Sequence, residues 1–122
     1  MDDFIAECRR TESGLQPLSE HYPPGLSRLL HAGIGMATEA AEFLDQLKKH
    51  LFYRKTLDAT NLKEEIGDLL WYIAIACDAM DTTVEAEMDR VIRKLRVRFP
   101  GKFNTVDAAA RDLTAERGEL EK

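Results

Sequence analysis

Four acidic residues in this chain are spaced so that they could do chemistry. Glu39 and Glu42 lie three positions apart, and so do Glu65 and Asp68. On an α-helix that spacing brings both carboxylates of a pair to nearly the same side. The first pair is embedded in small, apolar surroundings, Gly33 to Ala37 before it and Ala40-Ala41 within it. The second leads directly into Leu69–Cys77, nine residues without a charge. A carboxylate packed in such a setting loses several kcal/mol of hydration unless a cation or hydrogen-bond donors compensate it. Two such pairs on adjacent helices would form a cage of hard oxygen donors, which suits Mg²⁺ or Mn²⁺. Iron or zinc would more often bring histidine or cysteine. The Glu-x-x-His pattern of di-iron bundles is missing, since Glu42, Asp45 and Asp68 stand three residues after Glu39, Glu42 and Glu65. Two plainer readings stay open: a solvated acidic face for the first pair, and for Asp68 a buried salt bridge to a base such as Arg54 or Lys94. His31 and His50 are not at ligand spacing and read as packing or surface residues, and Asp45 reads as a surface residue.

The elements that must carry these groups are helical. Leu26, Leu30, Gly33, Ile34, Ala37, Ala41, Leu44 and Leu51 follow the helical period, predicting a long helix from residue 26 to about 51. Gly33 and Gly35 within it each cost about 1 kcal/mol relative to alanine, which suggests that something packs close by. After a connector over 52–60, a second helix should run from about Leu62 to Met80, with Thr60 or Asn61 as N-cap. Being apolar almost all round, it should be buried. A third begins after Asp81, where Thr82 and Glu85 match a capping box, and stops at Pro100-Gly101. Residues 2–12 could form a short helix with Phe4, Ile5 and Cys8 on one side. The segment 13–25 is a loop, broken by Gly14, Pro17, Pro23, Pro24 and Gly25. Residues 105–118 could add one weak, charged helix. Strand signals are absent, so the predicted fold is all-α, an antiparallel bundle of three to five helices in one domain over 1–122, its core at about 26–104 and flanking segments at 1–25 and 105–122. Three helices of this kind leave wide apolar surface, which predicts a homodimer or a dimer of dimers.

Composition narrows the function. With 122 residues, 17 Lys+Arg against 22 Asp+Glu and a net charge of −5, the chain lacks the basic face that a binder of nucleic-acid polymers needs. A small phosphorylated substrate is compatible, because a bound cation reverses the sign of a local pocket. Two cysteines without metal-type spacing predict free thiols and a cytoplasmic protein. The N-terminus lacks the pattern of a signal peptide, and no apolar run reaches the roughly 18 residues of a membrane span.

Several motifs together resemble one family. Thr38-Glu39-Ala40-Ala41-Glu42, then 22 residues, then Glu65-Ile66-Gly67-Asp68-Leu69-Leu70-Trp71-Tyr72 is similar to the signature of MazG-like all-α nucleotide pyrophosphohydrolases, Glu-Glu-x-x-Glu followed at a distance by Glu-x-x-Asp. The likeness continues through Lys94-Leu95-Arg96-Val97-Arg98-Phe99-Pro100 and covers roughly residues 26–104. It implies that Glu39, Glu42, Glu65 and Asp68 are metal ligands for Mg²⁺ or Mn²⁺, with Glu39, Glu42 and Glu65 taking part in catalysis. The implied reaction cleaves the α–β phosphoanhydride of a nucleoside triphosphate, giving the monophosphate and pyrophosphate. The first Glu of the family signature is Thr38 here, which leaves the general base open between Glu39, Glu42 and metal-bound hydroxide. Val91 stands where some relatives carry Asn. Lys94 and Arg98, four apart, are candidates for meeting phosphate charge, whereas Arg90, Arg93 and Arg96 read as a solvated basic face. Trp71 is a candidate for stacking on the nucleobase, although core or subunit packing is the commoner role for an aromatic in so apolar a helix. Phe4 and Tyr22 are further candidates for lining the base pocket. Two other functions compete: phosphoribosyl-ATP pyrophosphohydrolase activity on the same fold, and a non-catalytic helical interaction module whose acids pair with Arg and Lys across a dimer.

Overall fold

A computed structural model describes residues 2–13 and 25–122. The expected loop over 13–25 and Tyr22 fall almost wholly outside the described residues. Six helices follow in order: α1 (Asp2–Thr11), α2 (Leu26–Tyr53), α3 (Ala59–Ala79), α4 (Val84–Arg98), α5 (Thr105–Ala109) and α6 (Leu113–Leu120). No strand occurs among the described residues, in agreement with the all-α expectation.

Helices α2 and α3 pack against each other antiparallel and form the main contact of the fold. One end of the hairpin is tied by Arg28, whose guanidinium donates to Asp78 at 2.6 Å. At the same end Gly25 starts α2 with a φ of +88°, and a Cβ there would lie 3.1 Å from the Ala79 carbonyl oxygen. Both the left-handed backbone and the close approach call for glycine. At the other end α2 runs two residues past the expected Leu51 and is closed by Arg54 in the left-handed conformation, its N–H donating to the Lys49 carbonyl. The connector shrinks to residues 54–58.

Helix α3 begins earlier than expected. Its N-cap is Asp58, whose carboxylate accepts from the N–H groups of Thr60 at 3.1 Å and Asn61 at 3.0 Å. Thr60 and Asn61 are therefore inside the first turn, because a carboxylate oxygen two and three residues upstream serves their orphan donors. The cap of α4 is likewise shifted by one residue. Thr83, not Thr82, accepts from Ala86 N–H at 3.1 Å, while the Thr82 hydroxyl donates to Glu87 at 2.7 Å. The single helix expected over 105–118 is two short ones, each with its own acidic or amide cap, Asn104 for α5 and Asp112 for α6. Helix α6 folds back onto α4, which touches α3 only sparsely.

Very little of this chain is buried. Ala32 and Cys77 are the apolar core residues among the described part, and α3 is not the buried helix its composition predicts: Trp71 is 69% exposed and Leu70 and Ile66 are exposed as well. An apolar circumference needs partners on every side, and among the described residues α3 has α2 as its one extensive neighbour. Of the two helical glycines, only Gly35 meets the expected close packing. A Cβ on it would fall 2.3 Å from the Tyr72 ring, whereas nothing lies within 4 Å of one on Gly33. Gly35→Ala should therefore lose about 1–2 kcal/mol, overpacking outweighing the helix-propensity gain, and Gly33→Ala should gain about 0.5–1 kcal/mol. Urea unfolding of the two variants checks both signs.

Candidate metal centre

The site is built where the middle of α2 faces the start of α3. Glu39 and Glu42 stand one turn apart on α2, and Glu65 comes from the second turn of α3. One carboxylate oxygen from each of the three lies within 4.8 Å of the others. Glu65 is buried, at 4% exposure, Glu39 is half-buried and Glu42 is exposed, so the group opens to solvent on the Glu42 side. No ion pair to any of the three occurs among the described residues.

Two neighbours orient these carboxylates. Asn61, one turn before Glu65, donates from Nδ2 to Glu65 Oε1 at 2.7 Å and to Glu64 Oε2 at 3.2 Å. Its own Oδ1 is buried without a partner. Thr38, at the position of the family signature's first Glu, has its hydroxyl 2.9 Å from the Gly35 carbonyl and 3.3 Å from Glu39 Oε1. The Glu65 carboxyl is pushed above its ordinary value of 4.5: burial raises it most, the Asn61 bond opposes this, and the negative charges of Glu42 and Glu39 add to the rise. Three negative groups, one of them desolvated and none paired, are compatible with neutrality only if protons or a cation join them.

The expected residues are thus only partly brought together. Glu39, Glu42 and Glu65 converge, but Asp68 is exposed and its carboxylate is not in the converging group. The burial argued for Asp68 does not hold within one chain, and neither does the salt bridge to Arg54 or Lys94, since Asp68 makes no ion pair among the described residues. Asp45 is on the surface as expected, its carboxyl drawn down to about 2 by hydrogen bonds from Lys48 and Lys49 at 2.6 and 2.7 Å.

Trp71 is on a different face of α3 from Glu65, beside Arg28 and Asp78, and neither approaches the acids nor packs in a core. Arg98 has another partner. Its guanidinium forks onto Glu116 of α6, Nε to Oε1 at 2.9 Å and Nη2 to Oε2 at 2.6 Å, and Arg111 adds bonds of 3.3 and 2.7 Å to the same two oxygens. The fork that would have met a phosphate is spent on an internal carboxylate. Lys94 remains half-buried on α4 with no ion pair among the described residues. Arg90 and Arg93 are half-buried beside Glu87 and Glu119, not on a solvated basic face.

Sequence reasoning missed Asn61 by reading it as a helix cap. The signal was its place four residues before Glu65, the spacing at which one helical side chain reaches the next. Asn61→Ala should weaken divalent-ion binding by about 10–100-fold, the usual cost of removing a group that holds a ligand in place. Titration with Mn²⁺ followed by electron paramagnetic resonance measures it.

The profile of the family described as MazG nucleotide pyrophosphohydrolase domain matches residues 31–103. That span runs from the first turns of α2, through the acidic group, to the residues just after α4. A comparison with curated proteins and with solved structures gives no match.

Proposed function

The chain belongs to the MazG nucleotide pyrophosphohydrolase domain family, and from that premise we propose that it is a Mg²⁺-dependent nucleoside triphosphate pyrophosphohydrolase of the cytoplasm. Water would cleave the α–β phosphoanhydride, giving nucleoside monophosphate and pyrophosphate. The observation that carries this reading is the convergence of Glu39, Glu42 and the buried Glu65 with no positive side chain paired to them among the described residues.

Glu39, Glu42 and Glu65 would hold the cation, with Asp68 as a fourth carboxylate and Mn²⁺ as an alternative ion. Such a cation, when bound, neutralises phosphate oxygens and lowers the pKa of its water. The chain's own contribution is positioning. Asn61 fixes Glu65. With Thr38 in place of a carboxylate, Glu39 or Glu42 takes the proton of the attacking water. Lys94 is the remaining positive candidate for the phosphate chain.

We further propose that the chain acts as a dimer or a dimer of dimers. Among the described residues Ile34, Leu44, Leu51, Ile66, Leu70 and Trp71 of the α2–α3 hairpin are exposed, an apolar surface that a second copy would cover. No helix among the described residues is long and apolar enough to cross a membrane, and the two free cysteines suit a reducing compartment.

The test is a screen of common and modified nucleoside triphosphates, with phosphoribosyl-ATP included. Inorganic pyrophosphatase is added so that released pyrophosphate is read as phosphate. Millimolar Mg²⁺ should raise the melting temperature, and at least one substrate should release pyrophosphate only when the metal is present. A chain that gains no stability from Mg²⁺ or Mn²⁺ and hydrolyses none of the panel is an interaction module, not an enzyme.

A further inference from the structure

Helix α6 is held to the rest of the chain by charge rather than by apolar burial. Among the described residues it packs extensively on α4 and on no other helix. Of its residues only Glu116 is buried; Leu113 and Ala115 are exposed and Leu120 is half-buried. A second tie to α4 is loose, Glu119 standing 4.0 Å from Arg93 Nε, beyond hydrogen-bond reach. The helix is also weak in itself. Its 8 residues are too few for a helix to persist alone. Gly118 in its interior lowers the helical propensity further, although a Cβ there would meet nothing within 4 Å.

Glu116 fills a site suited to any oxyanion. Arg98 and Arg111 direct four bonds onto its two oxygens, at 2.9 and 2.6 Å from Arg98 and 3.3 and 2.7 Å from Arg111. A guanidinium fork fits a phosphate group as well as a carboxylate. Arg98 has a second hold besides Glu116: its guanidinium carbon lies 5.9 Å from the centroid of the Phe99 ring, which rests against Phe103. The Arg111 side chain is 43% exposed against 18% for Arg98, so the pair is open to solvent on the Arg111 side. Arg98 lies within the family-matched residues 31–103, whereas Arg111 and Glu116 lie beyond them.

We propose that α6 is a releasable strap, its Glu116 occupying in cis a two-arginine site for a phosphate-bearing anion. When such an anion takes Arg98 and Arg111, the Glu116 carboxylate returns to water and α6 undocks. Bonds between guanidinium and oxyanion are lost and remade in this exchange, and a phosphate brings more charge and more acceptor oxygens than a carboxylate. Apolar burial scarcely opposes it, since α6 contributes almost none. The inference goes beyond the pyrophosphohydrolase reading and stands without it, because neither metal nor turnover enters.

Calorimetry of the full chain with inorganic pyrophosphate tests the strap. It is run in EDTA, where the acidic group holds no divalent ion and repels the anion. Glu116→Gln should bind pyrophosphate on the order of 10²-fold more tightly than the parent, the factor by which a docked strap masks the site. Glu119→Gln should change the affinity by less than about threefold. Gly118→Ala, which strengthens α6 without touching the arginines, should weaken binding about threefold. In the parent, amide exchange of residues 113–120 should quicken about tenfold at about ten times the apparent Kd of pyrophosphate. Chloride at equal ionic strength should quicken it less than about twofold, because a buried pair is poorly screened. An α,β-methylene nucleoside triphosphate is titrated beside pyrophosphate. Tighter binding of the nucleotide to Glu116→Gln makes a nucleotide the source of the anion; equal or weaker binding makes it a free phosphoanion. No gain in Glu116→Gln, an equal gain in Glu119→Gln, or equal quickening by chloride makes Glu116 a structural clamp and overturns the proposal.

Discussion

Glu65→Gln is expected to lower Mg²⁺-dependent pyrophosphate release by on the order of 10³-fold or more, while leaving the metal-free chain as stable as before or slightly more so. The two halves of this expectation have one cause. Glu65 is the most buried of the three converging carboxylates, and its carboxyl is held above the ordinary 4.5 by that burial and by Glu42 and Glu39. Between 4.5 and its raised value the folded chain binds more protons than the unfolded one. Stability without metal therefore falls as pH rises through that window, and the loss persists above it. A neutral amide of the same shape escapes this cost and still accepts the Asn61 hydrogen bond on its oxygen. It cannot supply the negative charge that a divalent ion requires. The melting temperature of the metal-free variant should accordingly be flatter than that of the parent from acid to neutral pH. Because the ion binds the ionised carboxylate, the parent's Mg²⁺ affinity should climb with pH across the same window. Equal thermal shifts by Mg²⁺ in parent and variant would remove Glu65 from the metal centre.

Glu116→Ala should release α6 from α4, speeding amide exchange in α6 on the order of 10²-fold and dispersing its contact with Arg98. Glu116 is 2% exposed and accepts from two arginines, Arg98 and Arg111, so its removal leaves the largely buried Arg98 guanidinium and the more exposed Arg111 without their shared carboxylate. Those arginines hold its carboxyl well below the usual carboxylate range, the Arg98 bond contributing most and the Arg111 bond next. A depressed value means that the stabilisation is present above about pH 4.5 and drains away as acid approaches the folded value. Helix α6 should therefore stay docked through mildly acidic conditions. If the exchange rate of α6 is unchanged in the variant, the cluster is not what holds the helix.

The intervals Glu39–Glu42 and Glu65–Asp68 were legible because spacing within a helix is a local property, although Asp68 does not join the converging group. A three-residue interval fixes the direction of two side chains whatever surrounds them, whereas the equal cost of Gly33 and Gly35 pointed to a close neighbour that only Gly35 has. The convergence of Glu39, Glu42 and Glu65 needed the antiparallel pairing of α2 with α3, which sets which turn of one helix faces which turn of the other. The start of α3 was displaced by three residues because Asp58 took the cap from Thr60 and Asn61, while the end of α2 and the cap of α4 moved by two residues and one.

What the amino-acid sequence determined by itself was the helical class, the family and the oxygen character of the site, all consequences of periodicity, spacing and residue type. What only the tertiary structure decided were the pairings between groups far apart in the chain. Arg98 lies 18 residues from Glu116 and bonds it instead of standing free, Asp68 faces solvent, and Arg90 closes a cavity against Cys77. Long side chains choose among charged partners by which helix packs beside them, and that choice is set by distances in space that no interval along the chain encodes.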